Sequence, residues 1–215
     1  MGGLVLRFMA TKVKNIIFDL GGVLVGLDMQ RCINAFVKLG AGQAMKYAVG
    51  HFHDTMFYGY ETGQFGEREF CDRLRSEAGI SASDEAIKEA WNKMLTVIPD
   101  VKKRRLLNLR LHYRVFLLSN TNETHWRYCA DHLFPMGGHG VKDYFDRVFL
   151  SYELHLSKPD TAIFREALRL ADVKTEETLY IDDSVENCDS ARSLGMLTFH
   201  NAHFNDWIDE NNIFE

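Results

Sequence analysis

A chain of 215 residues, 46% of them hydrophobic, carries enough apolar side chain for one large domain or for a core domain with a substantial insertion. Its formal net charge of −5, with acidic and basic residues interspersed, offers no basic face to a nucleic-acid backbone and leaves nucleic acid outside the expected partners. Cys32, Cys71, Cys129 and Cys188 are far apart and show no paired metal-ligand spacing, which fits free thiols in a reducing compartment, the cytoplasm.

The apolar stretch Met1–Ala10 is too short to span a membrane and lacks the layout of a signal peptide, so no membrane partner is expected. The first predicted element is the strand Asn15–Phe18, which stops at Asp19 and runs into Leu20-Gly21-Gly22-Val23-Leu24. A short β-branched and aromatic run ending at a carboxylate and a glycine pair reads as a buried strand that delivers the carboxylate to a turn. Taken alone, such an Asp is a nucleophile, a metal ligand or merely the cap of the next element.

From about Met29 to Trp91 the texture is helical, with almost no strand signal. Helices are predicted over Met29–Leu39 and Glu67–Ala78, and a third opens at Ser83, with Asp84 and Glu85 in its first turn, and runs to Leu95. Their apolar faces need one another, as in a helical bundle spanning 29–96 inserted into a sheet core made of 12–28 and 97–215. Within it His51 and His53 lack a third ligand at useful spacing and read as surface or substrate-facing residues. Phe52, Phe57, Tyr58 and Trp91 read as packing, with the option of lining a pocket.

After Pro99 a helix is predicted from Asp100 to about His112, with Lys102-Lys103-Arg104-Arg105 as its solvated face. The strand Val115–Leu118 then leads into Ser119-Asn120-Thr121, and Asp146–Leu150 forms another strand. Beyond Ser157-Lys158-Pro159-Asp160 come the helix Thr161–Leu170, the strand Thr178–Ile181 ending at Asp182-Asp183-Ser184, the helix Val185–Leu194 and the strand Met196–Phe199. This alternation is the signature of an α/β fold, a doubly wound parallel sheet of Rossmann-like type. Ligands of such sheets sit outside the carboxyl ends of the strands, where the polar ends of three of these strands would converge.

Four stations therefore stand in order: Asp19, Ser119, Lys158 and the pair Asp182-Asp183. In this order and context, over Asn15 to Phe199, the chain resembles the haloacid dehalogenase-like hydrolase superfamily. The likeness is to its phosphatase branch with a helical, C1-type cap between the first and second motifs, and it extends to bacterial glucose-1-phosphate phosphatase-like proteins. The resemblance implies a Mg²⁺-dependent phosphatase acting on a small phosphorylated metabolite, sugar phosphates ahead of nucleotides. It makes Asp19 the nucleophile that forms an aspartyl-phosphate, and gives Mg²⁺ as ligands Asp19, the main-chain oxygen of Gly21 and Asp183, with Asp182 orienting a metal-bound water. Ser119 and the backbone amides of Asn120 and Thr121 would bind the phosphoryl oxygens, and Lys158 would neutralise developing charge. A phosphate dianion repels nucleophiles, so a site that gathers a cation, a lysine and amide donors around a carboxylate suits the chemistry.

One position departs from the pattern. Phosphatases of the family usually carry a second Asp two residues after the nucleophile, as general acid, and here that residue is Gly21. General acid–base help is worth about 10²–10⁴ in rate. A good leaving group such as the anomeric oxygen of a sugar 1-phosphate, a proton from a metal-bound water, or an acid supplied by the cap would each offset the loss. The rival readings are a weakened protein that binds a phosphorylated ligand or partner, for which Gly21 is the main support, and a haloacid dehalogenase, against which Asp182-Asp183 argues. Asn187 reads as orienting a metal-bound water or capping a helix, and Cys188 as a small buried residue. Nothing in the sequence sets the oligomeric state.

Overall fold

The computed structural model describes residues 13–43, 56–209 and 213. Met1–Ala10 and the trio His51, Phe52 and His53 lie outside the described residues. Five parallel strands form one sheet: β1 (Asn15–Phe18), β2 (Arg114–Ser119), β3 (Arg147–Leu150), β4 (Thr178–Asp182) and β5 (Leu197–His200), in the order β3-β2-β1-β4-β5. The three central strands are near-continuous apolar runs because helices cover both faces of the sheet. Alternate side chains feed two separate cores. Ile16, Phe18, Val115, Leu117, Leu179 and Ile181 point to the side closed by the helix Asp100–Leu109 and by Trp207. Ile17, Phe116, Leu118 and Tyr180 point to the side closed by the helices Thr161–Ala171 and Val185–Ser193.

Register decides what these strands deliver. Phe18 pairs with Leu117 on one side and with Ile181 on the other, so the next residues, Asp19, Leu118 and Asp182, stand side by side where β1 ends. Ser119, one step further along β2, pairs with Leu150 at the end of β3.

The four helices Met29–Lys38, Met56–Glu61, Glu67–Ala78 and Asp84–Asn92 pack around an apolar core of their own, built on Phe36, Phe57, Tyr60, Phe70, Leu74 and Trp91. The Phe57 and Trp91 rings stack at 5.0 Å, the packing role expected of them. Ser83 caps its helix in keeping with its position, its hydroxyl accepting from the Ala86 amide at 3.3 Å. The helix Met56–Glu61 gives no clear signal of its own, because its sequence MFYGYE is interrupted by glycine and has no charged residue before Glu61.

The basic run after Pro99 is not the solvated face expected of it. Lys102 is fully buried, and its ammonium donates to Val23 O at 2.5 Å and to Phe204 O while standing 3.1 Å from the centre of the Phe204 ring. Main-chain oxygens and an aromatic face replace the water that the charge would otherwise require. Burial pushes this ammonium down to about 7. Lys103, also buried, donates to Leu133 O at 3.1 Å. Only Arg104 of the run is exposed.

His125 joins the helical insertion to the sheet domain. Its ring stacks on Trp91 at 4.7 Å, its Nε2 is 3.1 Å from Trp91 O and its Nδ1 is 3.3 Å from Asn122 Nδ2. Burial pushes the imidazole down from 6.5 to about 4, so it is neutral in the fold. The unfolded chain binds this proton at a higher pH than the folded one. The neutral ring's contribution is therefore fully present above about 6.5 and is lost as pH falls toward about 4, to a limit of about 3 kcal/mol. Denaturant titrations at neutral pH and near pH 4.5 are expected to show a smaller acid loss for His125→Gln than for wild type. Equal losses in the two proteins would remove His125 from the account.

Candidate active site

The site is built at the carboxyl ends of β1, β2 and β4. The amide of Asp19 donates to Ile181 O at 2.9 Å, carrying the ladder one residue past β1 and fixing the carboxylate against β4. The chain then reverses in a tight turn, with the amides of Leu24 and Val25 both donating to Leu20 O at 2.8 Å. Gly22 in this turn has φ +68, and a Cβ there would lie 2.2 Å from Asp183 Oδ2. The missing side chain leaves the room that Asp183 occupies.

Lys158 organises the interior of the site. Its Nζ donates to Asp19 Oδ1 at 2.6 Å, to Asp182 Oδ2 at 2.8 Å and to Leu118 O at 3.2 Å, which uses all three protons. The backbone of Lys158 is held by a two-way bond with Asn120: Oδ1 accepts from the Lys158 amide and Nδ2 donates to its carbonyl, both at 2.9 Å. Burial works against the ammonium, but Asp182 and Asp19 outweigh it and hold Lys158 charged, above its ordinary range. For Asp19 burial wins. Its carboxyl is pushed up to about 7, against the pull of Lys158 and helped by repulsion from Asp182 and Asp183. Burial also acts on Asp182, yet Lys158, Tyr180 and the Ser184 amide hold it below the usual carboxylate range.

Carboxylate oxygens of Asp19, Asp182 and Asp183 lie within 4.8 Å of one another. This is an all-oxygen donor set of the kind that suits a hard divalent cation such as Mg²⁺. Burial and the neighbouring Asp182 raise the Asp183 carboxyl, the signature of crowded negative charge that a cation would relieve. The three carboxylates are not equivalent. Both oxygens of Asp182 already accept from the protein: Oδ1 from the Ser184 amide at 2.8 Å and from Asn187 Nδ2 at 3.0 Å, and Oδ2 from Lys158, the Tyr180 hydroxyl and Asn187. Asp183 is exposed beside it, and among the described residues its carboxylate has no such set of donors.

Two expectations change in detail. The Thr121 amide donates to Ser151 Oγ at 2.9 Å, so it is engaged within the fold, and the next helix starts only at Glu123, capped by Asn122. Asn187 does not cap its helix, because Ser184 does so; its amide group instead fixes the Asp182 carboxylate. Cys188 is buried with its thiol pushed up to about 11, in line with an inert, small buried residue.

Beside these groups opens a cavity of about 250 Å³. Gly21, Ser119 and Asn120 stand on its sheet side, and Phe57, Glu61 and Trp91 come from the helical insertion. Glu61 carries no sequence motif and is absent from the expected site residues, although a lone carboxylate ending an aromatic helix is a visible anomaly. The clamp from Asn120 to Lys158 is likewise unexpected, since nothing in a sequence joins residues 38 positions apart.

The family model described as haloacid dehalogenase-like hydrolase matches residues 13–195. A D-ribitol-5-phosphate phosphatase of Bacteroides thetaiotaomicron is 34% identical over 199 residues, 92% of this chain and 96% of that one. The crystal structure of a HAD family enzyme from the same organism, in complex with magnesium and inorganic phosphate, superposes with a TM-score of 0.84 at 41% identity, over 87% of this chain and 93% of that one. A predicted HAD-like family hydrolase from Porphyromonas gingivalis does so with a TM-score of 0.82 at 32% identity, over 94% of each chain. An L-2-haloacid dehalogenase, at 20% identity and a TM-score of 0.60, shares the fold alone. With the family model spanning most of its length and a relative matched over nearly the whole of both chains, the chain belongs to the haloacid dehalogenase-like hydrolase family.

Proposed function

We propose that this protein is a Mg²⁺-dependent phosphatase of a small phosphorylated metabolite, a sugar or polyol phosphate, working through an aspartyl-phosphate at Asp19. The observation that carries the reading is the buried bridge of Lys158 between Asp19 and Asp182, with Asp183 open beside it. A positive charge held against a carboxylate beside a cavity stabilises an incoming phosphoryl group in the transition state. The similarity to a D-ribitol-5-phosphate phosphatase supports a polyol phosphate among the substrates.

Asp19 attacks phosphorus, and Lys158 balances the charge that spreads over the phosphoryl oxygens. Ser119 and the Asn120 amide orient those oxygens, the Thr121 amide being engaged with Ser151. Asp19, the main-chain oxygen of Gly21 and Asp183 would hold Mg²⁺, while Asp182 fixes Lys158. When bound, the ion screens the carboxylates from the phosphate and so permits their close approach. In this reading 12–28 with 97–215 forms the catalytic core and 29–96 a cap that closes over the substrate.

Phosphate release from ribitol 5-phosphate, other sugar phosphates and nucleotides, measured with Mg²⁺ and then with a chelator, tests the proposal. Turnover that needs the metal and favours the polyol and sugar phosphates is the expected result. Halide release from 2-haloacids without metal, or binding of phosphorylated compounds without turnover, would overturn it.

A further inference from the structure

The phosphatase reading leaves one role unfilled, that of the group that protonates the leaving oxygen. Gly21 has no side chain for it, and a Cβ there would already stand 3.0 Å from Leu27 Cδ1. The space that an acidic side chain would enter is lined by Leu27.

Across the same cavity lies Glu61, the last residue of the helix Met56–Glu61. Its backbone is fastened to the sheet domain on each side. Ser151 Oγ, just past the end of β3, donates to Glu61 O at 2.6 Å. The Tyr60 hydroxyl is 2.6 Å from Thr124 Oγ1, and His155 Nδ1 is 3.0 Å from Thr62 O. Gly63, at φ +67, packs so closely that a Cβ would fall 2.0 Å from Tyr152 O. These contacts fix where Glu61 stands relative to the strand ends. Its carboxylate has no hydrogen-bond or ion-pair partner among the described residues.

We infer that Glu61 is the general acid and base of this phosphatase, supplied from the cap in place of the side chain that residue 21 lacks. In the first half-reaction an Asp19 oxygen bonds to phosphorus while the bond from phosphorus to the leaving oxygen breaks. The electron pair of that bond stays on the leaving oxygen, which takes the Glu61 proton and departs as the alcohol. In the second half-reaction the Glu61 carboxylate takes a proton from water as the water oxygen bonds to phosphorus. The bond from Asp19 to phosphorus breaks, its electrons return to the Asp19 carboxylate, and inorganic phosphate leaves with Glu61 protonated again.

The surroundings suit a proton carrier. Burial raises the Glu61 carboxyl to about 7, against the pull of Lys158 and with the push of Asp19. His125, the other titratable group lining the cavity, is held neutral with both ring nitrogens engaged by Asn122 and Trp91.

The test compares wild type, Glu61→Gln and Glu61→Asp on two phosphates with Mg²⁺: ribitol 5-phosphate, whose alkoxide must be protonated to leave, and p-nitrophenyl phosphate, whose phenolate leaves unaided. For Glu61→Gln, kcat/KM on the alkyl ester is expected to fall about 10²–10⁴-fold, and on the aryl ester less than about 10-fold. With the base also lost, the aryl ester should show a burst of nitrophenol followed by slow turnover. Glu61→Asp keeps a carboxyl and should recover part of the alkyl-ester rate. Equal losses on both esters would assign Glu61 to substrate positioning and overturn the inference, as would no loss on either. Wild type inactive on both esters would overturn the phosphatase reading itself, a result distinct from an active wild type that Glu61→Gln matches.

Discussion

Replacing Asp19 by Asn is expected to lower phosphate release at least about 10⁴-fold while leaving the melting temperature close to that of wild type. The two halves of this expectation come from different properties of one side chain. A carboxamide cannot form the acyl-phosphate, so catalysis falls to what the remaining groups achieve by binding and charge stabilisation alone. Stability is spared because the variant resembles a form the site already tolerates. Burial pushes the Asp19 carboxyl up to about 7, so the fold disfavours its charged form and tolerates the uncharged one. Asn has nearly the same volume, its carbonyl oxygen can accept the Lys158 proton that Asp19 Oδ1 accepts at 2.6 Å, and Lys158 retains Asp182 at 2.8 Å and Leu118 O at 3.2 Å. Thermal melts beside a phosphate-release assay check both halves. Residual turnover within about tenfold of wild type would remove Asp19 as the nucleophile.

The parts of this architecture visible in the sequence are those that local chemistry dictates. Phe18 and Ile181 end apolar runs at carboxylates, and both runs are buried central strands whose ends lie side by side. The helix Glu67–Ala78 has the boundaries its pattern suggests, because acidic residues in its first turn and Gly79 in the left-handed conformation beyond its end mark the limits of its apolar periodicity. The hidden parts depend on residues meeting from afar. Lys102 has the sequence context of a surface lysine, and only the arrival of Val23 and Phe204 makes its burial sustainable. Glu61 is tied to the end of β3 through Ser151, and its neighbour Thr62 is held by His155, contacts that no periodicity encodes. Tyr180 is legible in part: it lies two residues before Asp182 on a strand, hence on the same face, where its hydroxyl meets that carboxylate.

The same bridge that positions the nucleophile makes Lys158 the residue whose loss should be felt most widely. Lys158→Met keeps the length and apolar stem of the side chain but leaves Asp19 and the fully buried Asp182 facing each other without a counter-charge. Removing one partner of a buried ion pair costs about 3–5 kcal/mol, which for a chain of this size corresponds to a fall in Tm of roughly 10 °C. Tyr180, Ser184 and Asn187 still donate to Asp182, so the penalty falls mainly on Asp19, which would stay protonated to higher pH. This fixes the sign of the pH dependence. The deficit against wild type is smallest in acid, where both carboxyls are protonated in both proteins. It grows as pH rises through the carboxylate range, where wild-type Asp182 ionises first, and again through about 7, where wild-type Asp19 does. Activity is expected to fall at least about 10²–10³-fold, because the positive charge that would balance the phosphoryl group is lost together with an ionised nucleophile. Scanning calorimetry at neutral and acidic pH, together with phosphate release, separates the two effects. A variant as stable as wild type at neutral pH would mean that the bridge positions Asp19 without holding the fold.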